Sequence, residues 1–269
     1  MSLLIAKILL STALVAAATL VQRNYGHRAS GFLVGLPITT APYLLLVAIQ
    51  HGSRFTIHSA QGVLQGQIAL VLFLISYARA PITWPWWLTL SSSTSLCLFA
   101  TILISQHLFP PLLTLAVLVL FWLATLRLWP TTSTERTQVV QARWELPTRL
   151  SVTLLILVGL TQIAPHLGAS LAGGLATLPV ISIVLCAATH RGFGPSGPLQ
   201  FLRGLLLSLP GATSFALAVA LLAPVINRYL ALTFALALTL AVAGWQGRHL
   251  WQGKRERIRG AQNSSPYAA

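Results

Sequence analysis

Acidic residues are almost missing from this chain. Glu135, Glu145 and Glu256 are the only three in 269 positions, and none lies inside an apolar run. Charged residues of both signs make up 7%, against about 25% in an ordinary soluble domain. With 55% hydrophobic residues and a mean hydropathy of +0.78, that excludes a soluble globular chain and indicates an integral membrane protein. The same scarcity argues against a cation antiporter, because buried carboxylates commonly carry coupling ions and cationic cargo through a membrane. Cysteine is equally sparse. Cys97 and Cys186 both fall in apolar runs without CxxC spacing, so packing thiols are expected and no structural disulfide. Catalytic signatures are missing too: there is no GxSxG elbow, HExxH, P-loop or GxGxxG. Neither an enzyme nor a cofactor is expected. The seven histidines have no carboxylate or cysteine at ligand spacing, so no metal is expected. His51 and His58 share a polar turn, where they read as interfacial residues or, alternatively, as metal-binding or proton-sensing residues.

What is present is apolar length. Nine spans are expected, at about 2–21, 31–50, 62–78, 86–106, 111–129, 150–165, 169–189, 200–222 and 229–246. Residues 86–129 exceed one crossing at about 1.5 Å per residue, so two spans are needed there. Ala16-Ala17-Ala18 would suit cleavage of a signal peptide. Arg23 and Arg28, however, follow the first run instead of preceding it, which suits a retained helix with its N-terminus outside. Under that topology every basic residue except Lys7, Arg54 and Arg228 falls in inner loops or the tail. The net charge of +14 is therefore read as cytoplasmic anchoring, and no nucleic-acid partner is expected. Trp84, Trp86 and Trp87 mark an interfacial belt.

The segment Gly31-Phe-Leu-Val-Gly35-Leu-Pro37-Ile-Thr-Thr-Ala-Pro42 organises the rest. Prolines there remove backbone hydrogen bonds, and glycines leave a flat packing surface. A second copy, Gly173-Gly-Leu-Ala-Thr-Leu-Pro179, lies 142 residues on, and Thr40 aligns with Ser182. Leu64-Gln65-Gly66 resembles Leu202-Arg203-Gly204 at a spacing of 138, which a shorter loop before span eight would explain. The expected fold is an all-α polytopic transmembrane bundle with two four-span inverted repeats. It divides into 1–108, a connector helix and cytoplasmic loop at 109–149, a second repeat at 150–247 and a basic cytoplasmic tail at 248–269. Paired interrupted segments are a pointer to a central transport site.

The run from Arg23 through Gly31 and Pro37, followed by a polar turn and Gly66, resembles the four-span bacterial inner-membrane proteins of the GlpM-like type. Each half is similar to one such unit. The resemblance implies architecture and inner-membrane location, and it brings no catalytic residues. The second half departs from it: no basic residues precede Gly173, and Val184 stands opposite Pro42.

The candidate substrate-binding set is Gly35, Pro37, Thr40, Gln65, Pro179, Ser182 and Arg203. The hydroxyls of Thr40 and Ser182 either satisfy carbonyls released by the prolines or touch cargo. Arg203 either snorkels to the inner interface or faces cargo. Of Gln65 and Gln67, at least one should face the protein interior. Ser91 to Ser95 should pack closely on a neighbouring helix. Besides membrane lipid, the expected partner is a neutral or anionic small molecule or lipid-linked cargo. The other reading is a scaffold or accessory subunit bound to a membrane-protein partner of envelope polysaccharide or lipid assembly.

Overall fold

The computed structural model describes residues 19–37, 40–80, 83–130, 168–194 and 196–263, with positions 17 and 151 besides. Every regular element among them is an α-helix: α1 (His27–Val34), α2 (Thr40–Arg79), α3 (Trp86–Ser105), α4 (Pro111–Arg127), α5 (Ala169–Ala176), α6 (Val180–Phe193), α7 (Ser196–Leu222) and α8 (Arg228–Asn263). Among the described residues, five stretches are long and apolar enough to cross a membrane: Thr40–Arg79, Trp86–Ser105, Ala169–Arg191, Ser196–Leu222 and Arg228–Gln246. The chain is a helical membrane protein. Expected span one lies mostly, and span six almost wholly, outside the described residues.

The interruption expected in the second span is present: α1 ends at Val34, and helix resumes at Thr40. Boundaries differ from the sequence expectation in two other places. The polar stretch 51–58 is helical, not a loop. Gly52 alone turns the chain, with φ 76° and ψ −174°, dividing α2 into a first arm (40–51) and a second arm (53–79). The polar residues that suggested a loop form the first turn of the second arm, where Thr56 Oγ1 donates to the Gly52 carbonyl at 2.8 Å. The loop expected at 190–198 is compressed in the same way. Gly194 takes φ 64° and ψ −166°, and α7 starts at Ser196 with Pro198 in its first turn, where a missing N–H costs nothing. Both turns need a left-handed φ, which glycine adopts without a Cβ penalty.

The second arm of α2 and α7 form the centre of the bundle. They supply the largest fully buried side chains, including Leu64, Phe73 and Leu74 from one and Phe201, Leu202, Leu206 and Phe215 from the other. They run antiparallel. Near the end of the α2 arm, Tyr77 Oη pairs with His190 Nδ1 at 2.9 Å, just before α7 begins. Near its start, Ser53 Oγ accepts from Arg228 at 3.4 Å, just after α7 ends. The outer helices bury one stripe and expose the rest: Phe99 and Leu103 on α3, Leu112 and Leu120 on α4, Leu230 and Phe234 on α8. Such outward apolar rows suit a lipid surround.

Helix α4 clips onto both central helices. The indole N–H of Trp122 donates to the Leu206 carbonyl at 2.8 Å. That carbonyl would ordinarily accept from residue 210, which is a proline without an N–H. The tryptophan thus satisfies the acceptor that Pro210 leaves open in an apolar interior. Just past the C-terminus of α4, Arg79 Nε donates to the Leu128 carbonyl at 3.1 Å.

Candidate functional site

The two interrupted segments close their backbones alike. Pro37 and Pro179 cannot donate to the carbonyls of Leu33 and Leu175, so each helix stops short of its proline. The freed carbonyls are taken by the amides of Leu36 (3.2 Å) and Leu178 (3.1 Å). The repair assigned to the hydroxyls of Thr40 and Ser182 is therefore done by backbone. Both prolines are buried, and helix restarts beyond them, with Ala41 N–H on Pro37 O at 2.9 Å and Ile183 N–H on Pro179 O at 2.7 Å.

Each interrupted segment sits on the long helix of the other half of the chain. A Cβ added at Gly31 would fall on the Phe201 carbonyl of α7, and one at Gly204 would fall on the Arg28 carbonyl of α1. In the other pair, a Cβ at Gly173 would fall on the Ser59 carbonyl of α2, and one at Gly62 on the Ser170 carbonyl of α5. Gly35 abuts Ser208 Oγ, and Gly66 abuts Thr177 Oγ1, so glycine and hydroxyl trade places between the two seats. Backbones this close gain dispersion and Cα–H···O contacts that any side chain would block.

Every one of these contacts maps onto its counterpart by one spacing of 142. So do the boundaries of α1 and α5, the starts of α3 and α8, and the positive-φ glycines: Gly26 with Gly168, Gly52 with Gly194. The packing does not follow the spacing of 138 read from Leu64-Gln65-Gly66. Gly62, not Gly66, occupies the place of Gly204, and Gln61, not Gln65, that of Arg203.

The expected site residues separate accordingly. Gly35, Pro37 and Thr40 line the first interruption, and Pro179 and Ser182 the second; Thr40 and Ser182 are buried. Gln65 and Gln67 are both interior. Gln67 Oε1 accepts from Thr213 Oγ1 at 2.7 Å where the central helices cross. Gln65 Nε2 donates to the His107 carbonyl at 2.9 Å, while its Oε1 is buried without a partner. Arg203 is exposed on α7 and does not join the others. Its neighbour Gly204 takes the inward position, which turns the arginine outward by one residue step.

A feature not foreseen in the sequence is the buried stripe of α3. Thr89, Ser93, Cys97 and Thr101 recur every four residues on the inward face. Thr101 Oγ1 donates to the Cys97 carbonyl at 2.8 Å, and its Cγ2 lies 3.0 Å from where a Cβ on Gly174 of α5 would sit. Ser93 Oγ is buried without a partner. The spacing was visible, but the run Ser91 to Ser95 drew attention to adjacency instead. Of that run only Ser93 is fully buried; Ser91, Ser92 and Ser95 are exposed, and Ser91 and Ser92 donate back to carbonyls of their own helix. Among the described residues no group of three or more His, Cys, Asp or Glu could hold a metal ion. No protein-family model, no curated protein and no solved structure matches this chain.

Proposed function

We propose that the chain is a transporter or flippase for a neutral or anionic small molecule or lipid-linked cargo, built from two inverted four-span repeats joined by α4. The observation that carries this reading is the reciprocal seating of the two proline-interrupted segments. Contact pairs that swap between halves are the mark of a two-fold relation. Because the second arm of α2 and α7 are counterparts and run antiparallel, that axis lies across them, as in transporters whose halves are inverted in the membrane. Cargo would pass beside the interruptions. The expected setting is a bacterial inner membrane with the N-terminus outside and the C-terminus in the cytoplasm, and the GlpM-like likeness of each half belongs to the same reading.

The close glycine contacts favour a second reading. Glycine seats this tight also suit a rigid accessory subunit that holds a partner and moves nothing. Native mass spectrometry of gently purified protein, followed by flux assays in proteoliposomes, separates the two. A retained metabolite or lipid, with flux above that of empty vesicles, supports transport. An empty protein carrying a stoichiometric membrane-protein partner, with no flux, overturns it in favour of the scaffold. Reporter tags on the two termini check the repeat: both on one membrane face would rule out the inverted nine-span plan.

A further inference from the structure

The two interruptions face different chemistry. The second, at 177–179, follows α5, which packs beside the inward stripe of α3 and on the second arm of α2. That stripe reads Thr89, Ser93, Cys97, Thr101, and the α2 arm adds Gln65. The first interruption faces the corresponding stripe of α8, which reads Ala231, Ala235, Thr239, Ala243, with Leu205 and Leu36 closing round it. Thr239 Oγ1 is already bonded to the Ala235 carbonyl at 2.8 Å.

On the polar side the buried groups without a partner include Ser93 Oγ and Gln65 Oε1. Both residues are at most 2% exposed. An unpaired polar group in an apolar interior is costly enough to call for an explanation. From Thr89 to Thr101 the stripe covers about 18 Å, more than half the hydrocarbon thickness. Beyond it the α3–α4 turn, where Gln65 donates to the His107 carbonyl, reaches the exposed surface.

We infer that cargo moves along this one side of the bundle only, on a path lined by Ser93, Thr101, Gln65 and Thr177, and that the cargo is an uncharged hydroxyl-bearing solute. This rests on the transport reading and narrows it. The hydrogens of Thr101 and Thr177 are spent on the carbonyls of Cys97 and Gly174, and Gln65 presents a carbonyl oxygen. The lining therefore offers mainly acceptors. Acceptors without a carboxylate suit neutral donors such as alcohol hydroxyls; they do not suit anions, and they provide no counter-charge for cations.

Stopped-flow light scattering of proteoliposomes tests this with glycerol, erythritol, xylitol and sorbitol, set against lactate and choline. Flux of at least one polyol above protein-free vesicles is expected, with lactate and choline excluded. Ser93→Val and Gln65→Leu should each slow that flux about tenfold, the equivalent of one lost hydrogen bond. Thr239→Val, in the matching stripe of the other half, should leave it unchanged. Equal flux in wild type and both first-half variants, or flux of lactate alone, overturns the inference while transport stands. No flux of any of these solutes overturns the inference, while the transport reading stands or falls on the retained metabolite or lipid and its flux. Should Ser93→Val misfold, Ser93→Cys serves: xylitol should shield the new thiol from a water-soluble methanethiosulfonate. Labelling at the same rate with and without xylitol also overturns the path.

Discussion

The segment 26–105 and the segment 168–247 share a geometry and differ in chemistry. Helix boundaries, left-handed glycines and glycine seats recur 142 residues apart. Most of the buried polar residues do not, Thr40 with Ser182 being an exception. Thr56, Ser59, Gln65, Gln67, Ser93 and Thr101 stand where the later segment has Pro198, Phe201, Leu207, Leu209, Ala235 and Ala243. Positions where two backbones meet tolerate no side chain, so both segments keep them small. Positions that face the interior between helices accept any side chain of suitable volume, and there the two segments differ. Shape and polarity are thus set by different residues in this fold.

The largest test of the shared geometry is at the seats. Gly31→Ala and Gly173→Ala each place a Cβ on a carbonyl that belongs to a central helix, and each should destabilise by about 3 kcal/mol. Thermal unfolding in detergent should show matching falls in melting temperature. A large fall for one and none for the other would break the equivalence.

Next come the turns. Gly52→Ala and Gly194→Ala force a left-handed φ on a residue with a Cβ, at about 1–2 kcal/mol each. Here too equal losses are expected, read by the same unfolding assay.

A smaller effect tests how α4 is joined to the central helix α7. Trp122→Phe leaves the Leu206 carbonyl without a donor and should cost about 1–2 kcal/mol. In a Pro210→Ala background the backbone supplies an N–H again, and the same substitution should then be nearly neutral. Additive losses in that double-mutant cycle would show that the indole bond is incidental.

The smallest effect is Arg203→Ala. Exposed on α7, it should change stability by less than about 0.5 kcal/mol and leave solute flux unaltered. A loss of flux would return this residue to the site and weaken the distinction drawn between the two sides.

Much of this was readable in the letters. Membrane class followed from charge and hydropathy, and Pro37 and Pro179 announced the two interruptions. The spacing of 142 was legible from Gly31 with Gly173. It was lost at Gly66 because Leu-x-Gly recurs by chance in apolar sequence, and only packing shows which glycine faces a carbonyl. The polar stretch 51–58 misled because polarity marks a loop only when no glycine can turn the chain in a single residue. The polar stripe of α3 stayed hidden because its members are ordinary small residues. Their burial depends on where α2, α5 and α6 lie, which no local pattern specifies.

The exchanged seats have a consequence for how the protein is made. When the ribosome has released the first four helices, the flat face at Gly31 and Gly35 has nothing to rest on, since its cradle, Ser196–Leu222, has yet to be synthesised. The early product must wait in the bilayer with that face against lipid, and neither half expressed alone can reach its finished shape. Co-expressed as two polypeptides cut between α4 and α5, they should find each other.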